Sequence, residues 1–123
     1  MRQWLERMRY DFDSARSMLK MRKYLYVGFM CQQAIEKGLK ALITKQDKEP
    51  PFIHNLRKLA FLANIESELD ATQVDLLEQL TPFAIKARYG EYKKCLSELL
   101  SRKKAQEFIV NTQGFIKWLE KKI

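Results

Sequence analysis

Apolar residues recur along this chain at steps of three and four, the spacing of one face of an α-helix. In the first segment Trp4, Leu5, Met8, Phe12, Ala15, Met18 and Leu19 form one stripe, while Arg7, Arg9, Asp13, Arg16 and Lys20 fall mostly outside it. The pattern predicts a helix over 2–21. After a break near Arg22–Lys23 a second helix is expected over 24–45, with Gly28, Cys31, Ile35, Leu39 and Leu42 on one face and Met30, Ala34, Gly38 and Ala41 beside it. Its apolar arc covers about half the circumference, so this helix should be central and touch two neighbours. Two glycines inside a helix each cost about 1 kcal/mol relative to alanine, which points to close approach of another element at Gly28 and Gly38.

Lys45–Pro51 (KQDKEPP) stops the second helix, because two prolines cannot continue it and Glu49 is pushed towards extended geometry. A short helix is expected over 54–65, with Leu56, Leu59, Ala60 and Ala63 inward. Asp70 reads as the N-cap of a helix over 71–87 whose inward residues are Val74, Leu77, Leu80, Ala84 and Ala87, kinked at Pro82. Tyr89-Gly90 ends it. Ser101 reads as the cap of a last helix over 102–122, with Ala105, Phe108, Ile109, Thr112, Phe115, Ile116 and Leu119 inward. The expected fold is therefore all-α: an up-and-down four-helix bundle with an additional short helix, one domain over 1–123.

Composition agrees. Four glycines and three prolines are few breakers for 123 residues. No apolar run approaches the roughly 20 residues that span a bilayer, and the charged N-terminus lacks the apolar core of a secretory signal. Cys31 and Cys95 have no metal-ligand spacing and read as reduced thiols of a cytoplasmic protein. Neither a metal nor another cofactor is expected. The net charge is +8, but residues 59–85 hold five acids and no Lys or Arg, while the segments on either side are basic. Either these are ordinary solvated helix faces, or the surface is bipolar and attracts an acidic partner or nucleic acid.

The polar side of the second helix carries the candidate chemistry. Gln32 and Glu36, Glu36 and Lys40, and Gln33 and Lys37 are each four apart, and Glu36–Lys40 is in the favourable order for a helical ion pair. By helical angle Tyr26 and Phe29 fall on the same side. A solvated, salt-bridged face and a surface covered by a partner both fit, the aromatics among charges keeping the second open for Phe29, Gln33, Glu36, Lys37 and Lys40. His54, the only histidine, begins the short helix, where it or Asn55 would cap exposed N–H groups.

Three stretches together resemble the HEPN family of small helical bundles. They are the opening helix with Trp4, Asp11 or Asp13, Ala15 and Leu19; then Tyr24 followed by Phe29, Gln32-Gln33-Ala34-Ile35-Glu36-Lys37, Leu39-Lys40-Ala41-Leu42; then Ile53-His54-Asn55-Leu56 with Leu59, and Ala87-Arg88-Tyr89. The resemblance implies a homodimer, a minimal nucleotidyltransferase as partner, and in some members nucleotide binding or metal-independent RNA cleavage as a toxin. In the ribonuclease branch an arginine is followed four to six residues later by a histidine on the same helix. Arg88 is instead followed by Tyr89 and, at the fourth position, Tyr92, and no histidine lies downstream. A phenol with a pKa near 10 is a poor base at neutral pH. Arg88, Tyr92 and His54 are thus weak catalytic candidates, and Arg88 with Tyr89 reads better as a phosphate- or partner-binding pair. The expectation is a non-catalytic module that homodimerises and binds a nucleotidyltransferase, with a nucleotide or RNA as further ligands. The alternative is a ribonuclease toxin with a non-standard site.

Overall fold

The computed structural model describes residues 1–84 and 100–123. The described residues are all-α, with helices α1 (Arg2–Lys20), α2 (Tyr24–Lys45), α3 (Leu56–Leu62), α4 (Ala71–Leu80) and α5 (Arg102–Glu120) and short 3-10 turns at Glu66–Glu68 and Thr81–Ala84. None of these helices is long and apolar enough to cross a membrane.

α2 is the central helix, as its wide apolar arc requires. Gly28, Cys31, Ile35, Leu39 and Leu42 are all buried, and so are Ala34, Gly38 and Ala41 beside them. α1 folds back on it through Met21–Lys23, where Arg22 takes a φ of 60° to turn the chain. α5 lies along another side and buries Ala105, Phe108, Thr112, Phe115, Ile116 and Leu119. The two helical glycines have the expected packing role. A Cβ on Gly28 would sit 2.8 Å from the Phe83 ring, and one on Gly38 would sit 2.9 Å from both Leu119 Cδ1 and Met8 Sδ. Gly28 thus admits the turn after α4, and Gly38 lets α1 and α5 meet over α2.

The caps follow the sequence closely. Asp70 accepts from Gln73 N while the Gln73 side chain accepts from Asp70 N, a reciprocal capping box. Ser101 accepts from Lys104 N. Asn55, not His54, caps α3 by accepting from Lys58 N. The expected kinked helix over 71–87 needs correction. α4 ends at Leu80, and Pro82 lies in a 3-10 turn. Proline lacks the N–H that would continue the ladder, and its ring clashes with the carbonyl four residues back. The Thr81 hydroxyl stabilises this ending by donating to Leu77 O at 2.7 Å and accepting from Leu56 N at 3.3 Å. The remainder of the expected helix lies outside the described residues.

α1 and α5 lie side by side, joined by Arg9–Glu120 at 3.1 Å, and a cleft between them is lined by Arg9, Arg16 and Lys117 as well as Asp13 and Glu120. Basic and acidic side chains of both helices thus meet along this cleft. In the acidic middle, Arg57 bridges Glu78 at 2.8 Å and Glu66 at 3.2 Å, and Lys122 pairs with Glu68. The sequence bipolarity is partly neutralised by contacts within the fold.

Candidate functional site on the polar side of α2

Gln32, Glu36 and Lys40 stand four residues apart and form one row along α2. Their spacing reads as an exposed helical ion pair, yet all three are buried, with Glu36 only 3% and Lys40 only 5% accessible. This corrects the expectation that Glu36 and Lys40 lie on an outward surface. The row is covered by neighbours distant in sequence. Lys40 Nζ lies 5.7 Å from the centre of the Trp4 ring on α1, and the segment leading into α3 lays His54 against Glu36.

Glu36 is the hub. Its Oε1 accepts from Gln32 Nε2 at 3.1 Å and lies 2.7 Å from His54 Nδ1, while its Oε2 accepts from Lys40 Nζ at 3.1 Å. Burial pushes the Glu36 carboxyl up, but the hydrogen bonds from His54, Gln32 and Lys40 and the Lys40 charge outweigh it, leaving the group below the ordinary glutamate value. Glu36 is therefore ionised at neutral pH and can only accept. The proton between the two residues must then sit on His54 Nδ1. The His54 side chain remains 61% exposed. Gln32 Nε2 also donates to the His54 carbonyl at 3.1 Å, so backbone and ring are both held.

A second row, Gln33 and Lys37, joins the first. Lys37 Nζ donates to Gln33 Oε1 at 2.9 Å, and Gln33 Nε2 donates to Gln32 Oε1 at 2.6 Å. Lys37 also lies 3.5 Å from Asp11 Oδ2 on α1. Burial pushes the Asp11 carboxyl up, and Lys37 and Arg7 only partly oppose it. A continuous polar chain thus runs from Asp11 through Lys37, Gln33, Gln32 and Glu36 to His54. Its first members open into a groove of about 620 Å³ between α1 and α2, lined by Gln3, Glu6, Arg7, Tyr10, Asp11, Gln33 and Lys37.

The structure brings Gln33, Glu36, Lys37, Lys40 and His54 into this one network. Phe29 is half-buried further along α2, and Tyr26 is exposed. Arg88, Tyr89 and Tyr92 lie outside the described residues. The contributions missed from sequence were those of Trp4, Arg7, Tyr10 and Asp11, all on α1. Trp4 belongs to the apolar stripe of α1, and the signal for the other three was the charged and aromatic run outside that stripe. Arg57 takes no part in the network, being held by Glu66 and Glu78. Among the described residues no group of three or more His, Cys, Asp or Glu side chains is placed to hold a metal ion. Burial pushes the Cys31 thiol up to about 12, with the Thr112 hydroxyl pulling weakly the other way.

Chemically the network can do two things. It holds the entry to α3 against α2 through buried, charge-assisted hydrogen bonds. It also presents an oriented imidazole to solvent.

Comparison with known proteins agrees with this architecture. The solved structure of TT1696 from Thermus thermophilus is similar in fold, with a TM-score of 0.81 at 24% identity, covering 99% of this chain and 97% of that one. No curated protein matches the sequence. The family model for the HEPN domain matches residues 1–122. The match spans α1 to α5 and the row of buried polar residues at the centre of α2, and the chain belongs to the HEPN domain family.

Proposed function

We propose that the protein is a non-catalytic HEPN module that self-associates and binds a partner protein, a minimal nucleotidyltransferase, with a nucleotide as an accessory ligand. One observation carries the non-catalytic part of this reading. The chain's only histidine is tied through Nδ1 to Glu36, and the cation that shares that carboxylate, Lys40, is buried in its ion pair with it. RNA cleavage by general acid–base chemistry needs a cation free to meet the phosphate beside the imidazole, and Lys40 is not free. The partner and the dimer are what membership of the family suggests, and the net charge of +8 favours an acidic partner surface.

Sedimentation of the purified protein, alone and after co-expression with a nucleotidyltransferase encoded beside it, tests this reading. The expected result is a species of twice the 14.7 kDa chain mass and a stable complex. A monomer that recovers no such partner contradicts it.

The exposed, carboxylate-oriented imidazole favours a second reading, a ribonuclease with a non-standard site using His54, Arg88 and Tyr92. Incubation with RNA decides between them: cleavage by the wild type that disappears in Arg88→Ala and in His54→Ala establishes the second reading, and intact RNA at micromolar protein removes it.

A further inference from the structure

The two walls of the groove between α1 and α2 differ in kind. On α2, Gln33 and Lys37 are hydrogen-bonded to each other and onward to Gln32. On α1, Gln3, Arg7 and Tyr10 fall on one stripe, each three or four residues from the next. Among the described residues, the side chains of these three make no hydrogen bond or ion pair. Arg7 rests on the Trp4 ring at 5.5 Å, and Tyr10 is 73% exposed. A guanidinium, an amide and a phenol thus face the groove with their donors uncommitted.

The charges of the groove are of both signs: Arg7 and Lys37 against Glu6, which lies 3.5 Å from the exposed Arg2, and Asp11, which lies 3.5 Å from Lys37. This mixture selects among polyanions. A nucleic-acid backbone carries one negative charge at every step, so it would meet Glu6 and Asp11 as like charges. A polypeptide can set carboxylates against Arg7 and Lys37 and a basic side chain against Glu6 and Asp11. Arg7 suits a carboxylate in particular, since its planar fork binds one bidentately.

We infer that this groove docks a mixed-charge segment of a partner protein, carboxylates facing Arg7 and Lys37, and that its occupancy is transmitted along α2 to His54. The inference rests on the binding-module reading above and names the surface through which the module would bind. The transmission has a physical path. A carboxylate that draws the Lys37 ammonium to itself weakens the donor now held by Gln33 Oε1 at 2.9 Å. The Gln33 amide is bonded at 2.6 Å to Gln32, which is bonded at 3.1 Å to Glu36, which holds the imidazole at 2.7 Å. Hydrogen bonds in such chains polarise one another, so the Glu36–His54 contact changes with the state of Lys37.

Peptides selected from a random display library on the immobilised protein, then titrated into nitrogen-15-labelled protein, test this inference. The selected peptides should carry carboxylates interspersed with lysine or arginine. They should move the amide signals of Gln3, Arg7, Tyr10, Gln33 and Lys37, and the imidazole signals of His54. Arg7→Glu should weaken binding by about tenfold or more, as for a charge pair at an interface. Arg102→Glu makes the same charge change on the exposed first turn of α5 and should alter affinity by no more than about twofold. Gln32→Leu lies outside the groove; it should bind normally and abolish the response of His54, with Gln32→Met as the substitute if the leucine variant does not fold.

The inference is overturned if no peptide is enriched, if the bound peptides map to another face, or if Arg7→Glu binds as the wild type does. It is equally overturned if single-stranded RNA displaces the peptides and moves the same residues, or if His54 is silent in the wild type. Peptide binding by a protein that sediments as a monomer without a nucleotidyltransferase sinks the functional proposal alone. An assembled complex with a groove inert to peptides sinks this inference alone.

Discussion

Replacing Glu36 by glutamine should destabilise the protein far more than an exposed helical ion pair would suggest. The two carboxylate oxygens have separate duties: Oε1 takes His54 and Gln32, and Oε2 takes Lys40. A glutamine side chain has one oxygen and one NH2 group, so one of these sets of donors would face another donor. If the oxygen stays with His54 and Gln32, Lys40 becomes a buried cation without an acceptor. Breaking a buried pair by removing one partner costs about 3–5 kcal/mol. The Trp4 ring stays close to the ammonium and softens the loss, so the low end, about 3 kcal/mol, is expected. With an unfolding entropy near 2.1 cal/mol/K per residue, that corresponds to a fall in Tm of about 12 °C for a chain of this length. An exposed pair of the same spacing would cost only about 0.3–0.5 kcal/mol.

Urea denaturation followed by circular dichroism measures the difference, and the double variant Glu36→Leu/Lys40→Met checks the cause. Removing both charges should recover most of the loss, because matched apolar side chains avoid the desolvation of two ions. The sign of the pH dependence follows from the lowered pKa of Glu36. A carboxylate depressed in the folded state adds stability that is fully present above its unfolded value and is lost as pH falls through the folded one. The acid limb of stability should therefore be shallower in Glu36→Gln. A cost below about 0.5 kcal/mol for Glu36→Gln, the exposed-pair value, or a double variant no more stable than the single one, would refute the reasoning.

Gly28→Ala and Gly114→Ala should have opposite effects in the same assay. The first gains helix propensity but drives a methyl to 2.8 Å from the Phe83 ring, costing about 1–3 kcal/mol by overpacking; the second meets nothing within 4 Å and gains about 1 kcal/mol. Cys31 should resist a thiol reagent such as DTNB in the folded protein at pH 8 and react once urea unfolds it, because it is buried with its pKa pushed up to about 12. Asp70→Ala should cost about 1 kcal/mol in urea denaturation by removing one half of the capping box, and Asp70→Asn much less.

Local chemistry made much of the fold legible. The bounds of α2, the caps Asp70 and Ser101, and the packing role of Gly28 and Gly38 follow from short-range rules, and the structure has each of them. The ending of α4 is not legible in the sequence, because Pro82 can kink a helix or end it. The Thr81 hydroxyl, bonded to both Leu77 and the start of α3, decides between those outcomes through a contact that sequence does not display. The residues of the α2 network stand out in the sequence by their spacing, but their placement does not. Gln33, Glu36, Lys37, Lys40 and His54 could be picked out, but a Glu–Lys pair four residues apart looks the same whether water or protein covers it. Trp4 and His54, which cover it, come from α1 and from the entry to α3. The Gln32-Gln33 pair was the available clue, since adjacent amides on a helix beside an ion pair can join two rows of hydrogen bonds.

The claim beneath both the network and the functional reading is that the histidine is committed to Glu36. Nitrogen-15 spectra of the imidazole test it most directly. In its neutral form the imidazole is expected as one dominant tautomer with the proton on Nδ1, returning to the ordinary mixture of tautomers in Glu36→Leu/Lys40→Met, which leaves no acceptor at that position. A wild-type spectrum that shows the ordinary mixture, or one unchanged in that double variant, would contradict it.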